Sequence, residues 1–204
     1  MSEEAKQKSV YEVMKEILWK LHRPEEQRHL ARDLAAFRNS IGRDYEDVPE
    51  VWPILLPLLP EAFLGNGTLT QEEKAIYVAL QLYAVSQQGT NKMSYENRES
   101  RMNMGASLRN IRGMDSLALD RRFNAMLTSS TFEEFAYHLR QIFKLGRSKN
   151  AFAVDFPSLA SDLFWYQNGK SQQVCLNWAK EYYRNSHIDE NESTAVADSS
   201  EQTS

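Results

Sequence analysis

The sequence predicts an all-α protein, and three observations support this fold class. Apolar residues recur at intervals of three and four along several segments, which is the spacing of one face of a helix. Capping residues precede these segments, and glycine or proline follows several of them. No segment of weight shows the alternation of apolar and polar residues that is typical of a strand. We expect two small helical bundles joined by a polar loop.

The N-terminal part of the chain holds the first two predicted helices. Pro24 suits the first turn of the second of them, and Gly42 ends it. Residues 1–8 precede the first helix, and we expect them to be frayed. Ser9 is a suitable N-cap for this first helix, whose apolar positions have helical spacing: Val10, Val13, Met14, Ile17, Leu18 and Leu21.

A proline-rich segment and a buried helix complete the first predicted bundle, residues 9–88. The four prolines between residues 44 and 60 rule out a long regular helix, because each internal proline removes a backbone hydrogen bond. We expect short helical turns inserted into the core instead. Thr70 and Glu73 predict a capping box for a helix that continues to about Gln87.

The second predicted bundle, residues 105–186, follows a polar loop at residues 89–104. A loop of this length within a compact chain is often functional or disordered. The bundle begins with a short helical segment and ends with two helices separated by a turn at residues 168–170. Asp155 is a suitable N-cap for the first of these two helices. The tail, residues 187–204, is acidic and rich in serine, so we expect it to be disordered.

Residues 117–146 form the centre of the second bundle, as two helices joined by a Ser/Thr turn at residues 128–131. Thr131 and Glu134 predict a capping box before the second of these helices. Gly146 suits the left-handed position just past its end.

A basic stripe is predicted beside the apolar face of this second helix. Arg140, Lys144 and Arg147 are spaced by four and three residues, so they share one side. Arg121 and Arg122 join the stripe if the two helices pack antiparallel across the short turn. A solvated basic face gives the same spacing, and from the pattern alone it is the more common explanation.

The charge is unevenly distributed along the chain, although the net charge is −4. Residues 92–149 carry 11 basic and 6 acidic side chains, a local charge of +5. Residues 189–204 carry 5 acidic side chains and no basic one. The acidic tail therefore masks a cationic segment of the kind that nucleic-acid-binding proteins use.

Composition and motifs argue against several classes of protein. The single cysteine, Cys175, excludes an internal disulfide and a cysteine-based zinc site, and it fits a reducing cytoplasm. No apolar run approaches the ~20 residues of a membrane span, and no signal peptide is visible. The four histidines lack zinc spacing, and the phosphate-binding glycine motifs are missing. We expect no cofactor, no metal, no catalytic residue and no membrane association.

Two sets of residues leave alternatives open. Trp165 and Trp178 either stack on nucleic-acid bases or, more commonly, belong to the helix core. A metal-dependent hydrolase would need converging carboxylates, although solvated acids are ordinary near a helix end. The candidates for such a site are Asp33, Asp44, Glu46 and Asp47.

Four segments occur in the order and spacing of the CasB family, the small subunit of the type I-E CRISPR surveillance complex Cascade. They are residues 119–127 (LDRRFNAML), 138–143 (HLRQIF), 154–163 (VDFPSLASDL) and 174–183 (VCLNWAKEYY). Residues 105–108 (GASL) and 34–38 (LAAFR) resemble two further segments of that family. The resemblance covers roughly residues 10–185 and is strongest from residue 105 to residue 183.

The resemblance implies a non-enzymatic, all-helical protein that binds the nucleic-acid backbone and stabilises the opened target DNA. It implies as partners the other Cascade subunits, the guide RNA, both target DNA strands and a second copy of the chain. Lys144 and Arg147 enter the predicted site from helical spacing alone. The positions carried over from the family are Arg38, Arg109, Arg121, Arg122, Arg140 and Lys170.

Three other functions remain open at this point. A helical protein–protein adaptor would use the basic face to meet an acidic partner, and it would need no guide RNA. A hydrolase would depend on a divalent cation and on Asp44 or Asp47. A stand-alone DNA-binding regulator would need a helix-turn-helix with base-reading side chains, and no convincing one is present.

Overall fold

The computed structural model describes residues 8–23, 25–89, 102–112, 116–147 and 153–184. No strand occurs in these ranges, so the predicted all-α class is confirmed. The helices are α1 (Val10–Leu21), α2 (Gln27–Asn39), α3 (Trp52–Leu55), α4 (Gln71–Ser86), α5 (Met104–Arg109), α6 (Ser116–Leu127), α7 (Phe132–Arg147), α8 (Phe156–Trp165) and α9 (Ser171–Tyr182).

The predicted N-caps of α1, α4 and α8 are confirmed. The Ser9 side chain caps α1 by accepting a hydrogen bond from the Glu12 backbone N–H. At α4 the Glu73 N–H donates to Thr70 Oγ1 at 3.1 Å, and the Thr70 N–H donates to the Glu73 carboxylate at 2.8 Å. These bonds satisfy backbone donors that a helix start leaves unpaired. Asp155 caps α8 in the same way, accepting from the Ser158 N–H at 3.0 Å.

Two details predicted for α7 are wrong. The Glu134 N–H donates to Thr131 Oγ1 at 3.1 Å, but the Glu134 carboxylate accepts from the Ser130 N–H at 2.8 Å, one residue before the expected donor. Gly146 lies inside the last turn of α7, which continues to Arg147. Glycine adopts both helical and left-handed backbone conformations, so its presence alone does not distinguish the final turn from the cap.

The proline-rich segment forms short helical turns, as predicted. Besides α3 it contains two 3₁₀ turns, Tyr45–Asp47 and Leu56–Leu58, and a third, Glu61–Phe63, follows directly after it. Such turns need fewer consecutive backbone donors than an α-helix, and proline has no N–H to offer. The turns nevertheless bury a set of apolar side chains: Val48, Val51, Leu55, Leu59 and Phe63.

The helices surround α4, which is buried on nearly every side from Ala75 to Val85. α1, α2, α7 and α8 all pack against it, and α8 also packs against α1. Tyr83 of α4 meets Phe156 of α8 edge to face, with the ring centroids 5.1 Å apart. One hydrophobic cluster therefore includes residues from both predicted halves. The layout of two separate bundles is not confirmed, and the proposed boundaries stay a prediction.

The short helix α5 packs closely against α9. A Cβ added to Gly105 would lie 1.9 Å from the backbone carbonyl oxygen of Trp178. The two backbones can approach this closely only because residue 105 has no side chain. The Trp178 side chain is fully buried, and its Nε1–H donates to Asp162 Oδ2 at 2.7 Å. Trp178 is therefore a core residue, which was the more common of the two alternatives given for it above.

Several sequence predictions concern residues outside the described ranges. They include most of the loop at residues 89–104, all but the last residue of the frayed segment at residues 1–8, and the acidic tail. Within the described ranges no helix combines the length and the apolar character needed to cross a membrane.

Candidate nucleic-acid interface

Two of the predicted arginines are anchored to the central helix α4. Arg38 Nη1 of α2 donates to the Ala84 carbonyl oxygen at 3.2 Å. Arg140 Nη2 of α7 donates to Gln81 Oε1 at 2.9 Å. Gln81 and Ala84 are three residues apart, so they lie on neighbouring turns of one side of α4. The structure thus brings together two arginines that are about 100 residues apart in the sequence.

Arg140 is largely withdrawn from solvent, which differs from the predicted solvated stripe. Burial lowers the pKa of its guanidinium, and its Nε–H is buried with no hydrogen-bond acceptor among the described residues. The amide of Gln81 links Arg140 to the end of α2, because its Nε2 donates to the Ser40 carbonyl oxygen at 3.1 Å. Arg140 therefore holds α7 against α4 and α2.

The other two cations of the predicted stripe differ from Arg140. Lys144 lies one turn further along α7 and is exposed. The backbone of Arg147 ends the helix, and its side chain lies outside the described residues. Of Arg140, Lys144 and Arg147, Lys144 is thus the one whose side chain the described structure presents to solvent.

The exposed side of α6 carries Arg121 and Arg122. Arg122 Nη1 donates to the Ala118 carbonyl oxygen at 3.2 Å, within its own helix. Arg121 forms no ion pair with any side chain in the described ranges. A guanidinium group with free N–H donors matches the geometry of a phosphate group. Both arginines are therefore suited to bind a nucleic-acid backbone.

A network of ion pairs joins α5, α6 and the end of α9. Arg112, which follows α5, binds both carboxylate oxygens of Asp120 at 3.1 and 3.2 Å. Tyr182 of α9 donates to the same carboxylate at 2.5 Å. Burial alone would raise the pKa of Asp120, but the hydrogen bonds from Arg112 and Tyr182 outweigh it and lower the pKa. This network keeps Asp120 ionised and fixes α9 to α6.

Arg109 lies in the same corner of the molecule, where α5, α6 and the end of α9 meet. Its Nη1 lies 3.6 Å from the Glu181 carboxylate and donates to the Glu181 carbonyl oxygen at 3.3 Å. Arg184 shares that carboxylate at 2.9 Å. Arg112 was missing from the predicted site, and the adjacent sequence gave no signal because its partner Asp120 lies eight residues away in another helix.

Lys170 stands at the turn between α8 and α9, away from the α4 anchor. Its ammonium group lies 3.7 Å from the ring centroid of Trp165, which is 38% exposed. Gly169 adopts a φ of 75°, in the left-handed region, and so reverses the chain before Lys170. The predicted site residues in the described ranges therefore lie at four places: the α4 anchor, the exposed end of α7, the α5–α6–α9 corner and this turn.

Of the acidic residues considered for a hydrolase, Asp33 has a side-chain ion pair, and Asp47 takes part in a contact through its backbone. Asp33 pairs with Arg32 at 3.0 Å, and Arg43 pairs with Glu50 at 2.6 Å and also binds the Asp47 carbonyl oxygen. Within the described part of the chain no three His, Cys, Asp or Glu side chains are grouped so that they could hold a metal ion.

Comparisons with known proteins agree on one fold. The family model described as CRISPR-associated protein Cse2 matches residues 33–183. A search of curated proteins finds no match. A CRISPR-associated protein of the Cse2 family from Thermus thermophilus is 26% identical, with a TM-score of 0.64 over 86% of this chain and 99% of that chain. CasB from M. ruber is 21% identical, with a TM-score of 0.61 over 94% of this chain and 99% of that chain.

A further similar structure is described as a CRISPR RNA-guided surveillance complex. Its matching chain is 18% identical, with a TM-score of 0.64 over 86% of this chain and 94% of that chain. The family match and the shared fold thus define an all-helical, CRISPR-associated class of protein. Since the family model spans most of the sequence, the chain belongs to the Cse2 family, which confirms the resemblance seen in the sequence.

Proposed function

We propose that the chain is a non-catalytic small subunit of a CRISPR RNA-guided surveillance complex, Cascade, in antiviral defence. The observation that carries this proposal is the family match over residues 33–183. The similarity of fold to a chain from a surveillance complex supports it. In this role the protein meets other Cascade subunits, the guide RNA and a second copy of itself.

The proposed activity is to hold the opened target DNA by its backbone. In RNA-guided recognition the paired bases read the sequence, while the protein binds the backbone. Exchanging a DNA duplex for an RNA–DNA heteroduplex is nearly balanced in free energy, so a few phosphate contacts shift the equilibrium. Arg121, Arg122 and Lys144 are exposed and therefore suited to make such contacts with the target or displaced strand.

The remaining predicted residues take supporting roles in this proposal. Arg38 and Arg140 position α2 and α7 on α4, and Arg109 fixes α5 to α9. Each of them is only partly exposed and already donates to a partner within the chain, so fewer of its N–H groups are left for a phosphate. Lys170 over Trp165 offers a cation and an aromatic face at one exposed turn.

The first test is a reconstitution. We would assemble the guide-RNA complex without this chain, add the Arg121→Ala/Arg122→Ala variant, and measure retention of opened target DNA across salt concentrations. Loss of two phosphate contacts on a single strand should flatten the slope of log K against log salt by about 1.4. The matched control is Lys15→Ala/Arg28→Ala, which removes two exposed cations from α1 and α2.

The possible outcomes distinguish failure of the small-subunit proposal from failure of the assignment of the α6 arginines. If the wild-type chain fails to join the complex, the small-subunit proposal is wrong. If it joins and the Arg121→Ala/Arg122→Ala variant retains DNA as wild type does, the α6 arginines are not the contacts. An equal loss in the control variant would show that only net charge matters.

A protein–protein adaptor is the second candidate, and one surface favours it. Trp19 on α1 is 59% exposed, and the Arg23 guanidinium lies 3.7 Å from its ring centroid. Arg23 also lines a cavity of about 340 Å³ between α1, α2 and α3, with Lys20 and His29 at its edge. Exposed tryptophan and arginine are enriched at protein interfaces. Binding to a partner that survives nuclease treatment and needs no guide RNA would support this function.

A further inference from the structure

The described chain ends beside α6. Tyr182 and Tyr183, the last residues before Arg184, both bind α6 side chains. The Tyr182 hydroxyl donates to Asp120 at 2.5 Å, and the Tyr183 hydroxyl donates to Asn124 Oδ1 at 2.8 Å. Asp120 and Asn124 are four residues apart and so lie on one side of α6. The segment that follows Arg184 therefore starts next to α6.

An exposed surface of α6 adjoins this starting point. Successive residues of an α-helix are rotated by about 100°, since there are 3.6 residues per turn. Leu117 and Arg121 therefore lie next to the side that carries Asp120 and Asn124, while Ala118 and Arg122 lie further around the helix, with Arg122 on the side opposite Asp120. All four are exposed, Leu117 by 62%. These four residues, Leu117, Ala118, Arg121 and Arg122, are called the α6 face below.

The charges around the α6 face are mostly positive. Among the described residues of this corner two carry acidic side chains, and both are already paired: Asp120 with Arg112, and Glu181 with Arg109 and Arg184. With Arg121 and Arg122 these described residues are five arginines and two carboxylates, a net charge of +3, and Asp115, which lies outside the described residues, is not in this count. The positive charge of the α6 face is not cancelled by its described neighbours.

The sequence after Arg184 has the opposite charge. Residues 185–204 carry five acidic side chains and no lysine or arginine. Asp189, the first of them, is five residues beyond Arg184, which an extended chain spans with about 17 Å. The twenty residues together reach at most about 70 Å. The carboxylates of this segment thus begin within reach of the α6 face.

We propose that the acidic segment, residues 185–204, binds the α6 face in place of a nucleic-acid backbone. Its carboxylates pair with Arg121 and Arg122 and compete with phosphate groups for the same donors. The competition rests on the function proposed above, whereas the binding of the segment to the α6 face does not. The chain thereby limits its own affinity for nucleic acid outside the assembled complex.

The expected effect follows from tethering. A segment joined to its site by a short linker acts at an effective concentration of about 1 mM. If it binds with a dissociation constant of about 0.1 mM, at the weak end of non-specific phosphate binding, it occupies the site about nine-tenths of the time. Removing its charge should then strengthen oligonucleotide binding about tenfold.

The experiment compares two variants of the full chain with equal net charge. The tail variant is Asp189→Asn, Glu190→Gln, Glu192→Gln, Asp198→Asn and Glu201→Gln. The control variant is Glu25→Gln, Glu26→Gln, Asp44→Asn, Glu46→Gln and Glu61→Gln, all at exposed positions on the N-terminal part of the fold. Both sets of changes take the formal net charge from −4 to +1.

The first readout needs no nucleic acid. We would record the arginine Nε–Hε resonances of each protein and assign those of Arg121 and Arg122 with Lys substitutions. The tail variant should shift both resonances, and added salt should move the wild-type resonances in the same direction, while the control variant leaves them unchanged. No shift in the tail variant would overturn the proposal. Shifts that depend on protein concentration would overturn it too, since they indicate that a second copy occupies the face.

The second readout is the affinity for a single-stranded oligonucleotide at low salt. The tail variant should bind about tenfold more tightly than the control variant. Resonance shifts without this gain in affinity would show that the segment binds the α6 face but does not compete with nucleic acid, which would overturn the competition. Such a result would also count against Arg121 and Arg122 as phosphate ligands. Equal gains in both variants would overturn the competition in favour of a general charge effect.

Discussion

At the scale of single residues, the contact between Arg140 and Gln81 withdraws a positive charge from most of the solvent. The guanidinium lies between α7 and α4, and its acceptor is a neutral amide. A buried charge is costly unless its hydrogen bonds are satisfied, and the Nε–H of Arg140 has no acceptor among the described residues. The stability of this region therefore depends strongly on Gln81.

Replacing Gln81 by leucine should destabilise the protein by about 2 kcal/mol, because it leaves a buried cation without its main acceptor. The double variant Gln81→Leu/Arg140→Met should be less destabilised than the sum of the single changes. Urea denaturation of the four proteins gives this coupling free energy. Ser40→Ala serves as a control for the hydrogen bond that Gln81 Nε2 donates to Ser40 Oγ. Additive effects would contradict the pairing.

Asp162 predicts a specific dependence of stability on pH. Burial raises its pKa to about 6, although the hydrogen bond from Trp178 lowers it and the nearby Asp155 raises it further. A carboxyl group with a raised pKa binds its proton more tightly in the folded state. Its ionisation therefore removes stability as the pH rises from the unfolded pKa, about 4, through 6.

The variant Asp162→Asn should lose less stability than wild type between pH 4 and pH 7. A shift of about two units corresponds to about 3 kcal/mol, and asparagine keeps an acceptor for the Trp178 indole. The measurement is the free energy of unfolding of both proteins across this pH range. Asp44→Asn is the control for removing an exposed carboxylate. Parallel curves for wild type and Asp162→Asn would contradict the assignment.

At the scale of elements, the contact between α5 and α9 is set by a single glycine. Gly105→Ala would place a methyl group 1.9 Å from the Trp178 carbonyl oxygen, which belongs to backbone and cannot rotate away. We expect a loss of about 3 kcal/mol in the free energy of unfolding, at the upper end for an overpacked contact. Thermal unfolding followed by circular dichroism would measure it.

The control for this substitution is Gly67→Ala. Gly67 has a φ of 85° and no heavy atom within 4 Å of an added Cβ, so alanine there introduces backbone strain without a clash. A cost of about 1 kcal/mol is expected at Gly67. If Gly105→Ala were no worse than this control, α5 and α9 would be free to move apart.

Local signals predicted the elements well, because caps and periodicity act over a few residues. The Ser9 cap, the Thr70 capping box and the Asp155 cap were all confirmed. The site was less predictable, since the exposure and the hydrogen-bond partners of a cationic side chain depend on which distant helix it faces. Nothing near Arg140 in the sequence indicates Gln81, which lies 59 residues earlier. Helical spacing showed that Arg140 and Lys144 share a side of α7, but not that Arg140 is largely withdrawn from solvent while Lys144 is exposed.

At the scale of the whole molecule, one hydrophobic cluster joins α1, α4 and α8. We therefore expect the described helices to unfold in a single cooperative transition, although the sequence predicted two bundles. Hydrogen exchange followed by mass spectrometry should give similar opening free energies for the core amides of α1 and α8. Protection of α8 that persists after α1 has opened would instead support two separate units.

The position of α4 has a consequence for how the protein is made. Its apolar side chains face in nearly every direction, and two of the helices that cover it, α7 and α8, lie more than 40 residues later in the chain. During synthesis the ribosome releases α4 before these helices exist, so a hydrophobic surface stays uncovered for several seconds at about 5–20 residues per second. The growing chain therefore presents a binding site for chaperones until α8 has emerged.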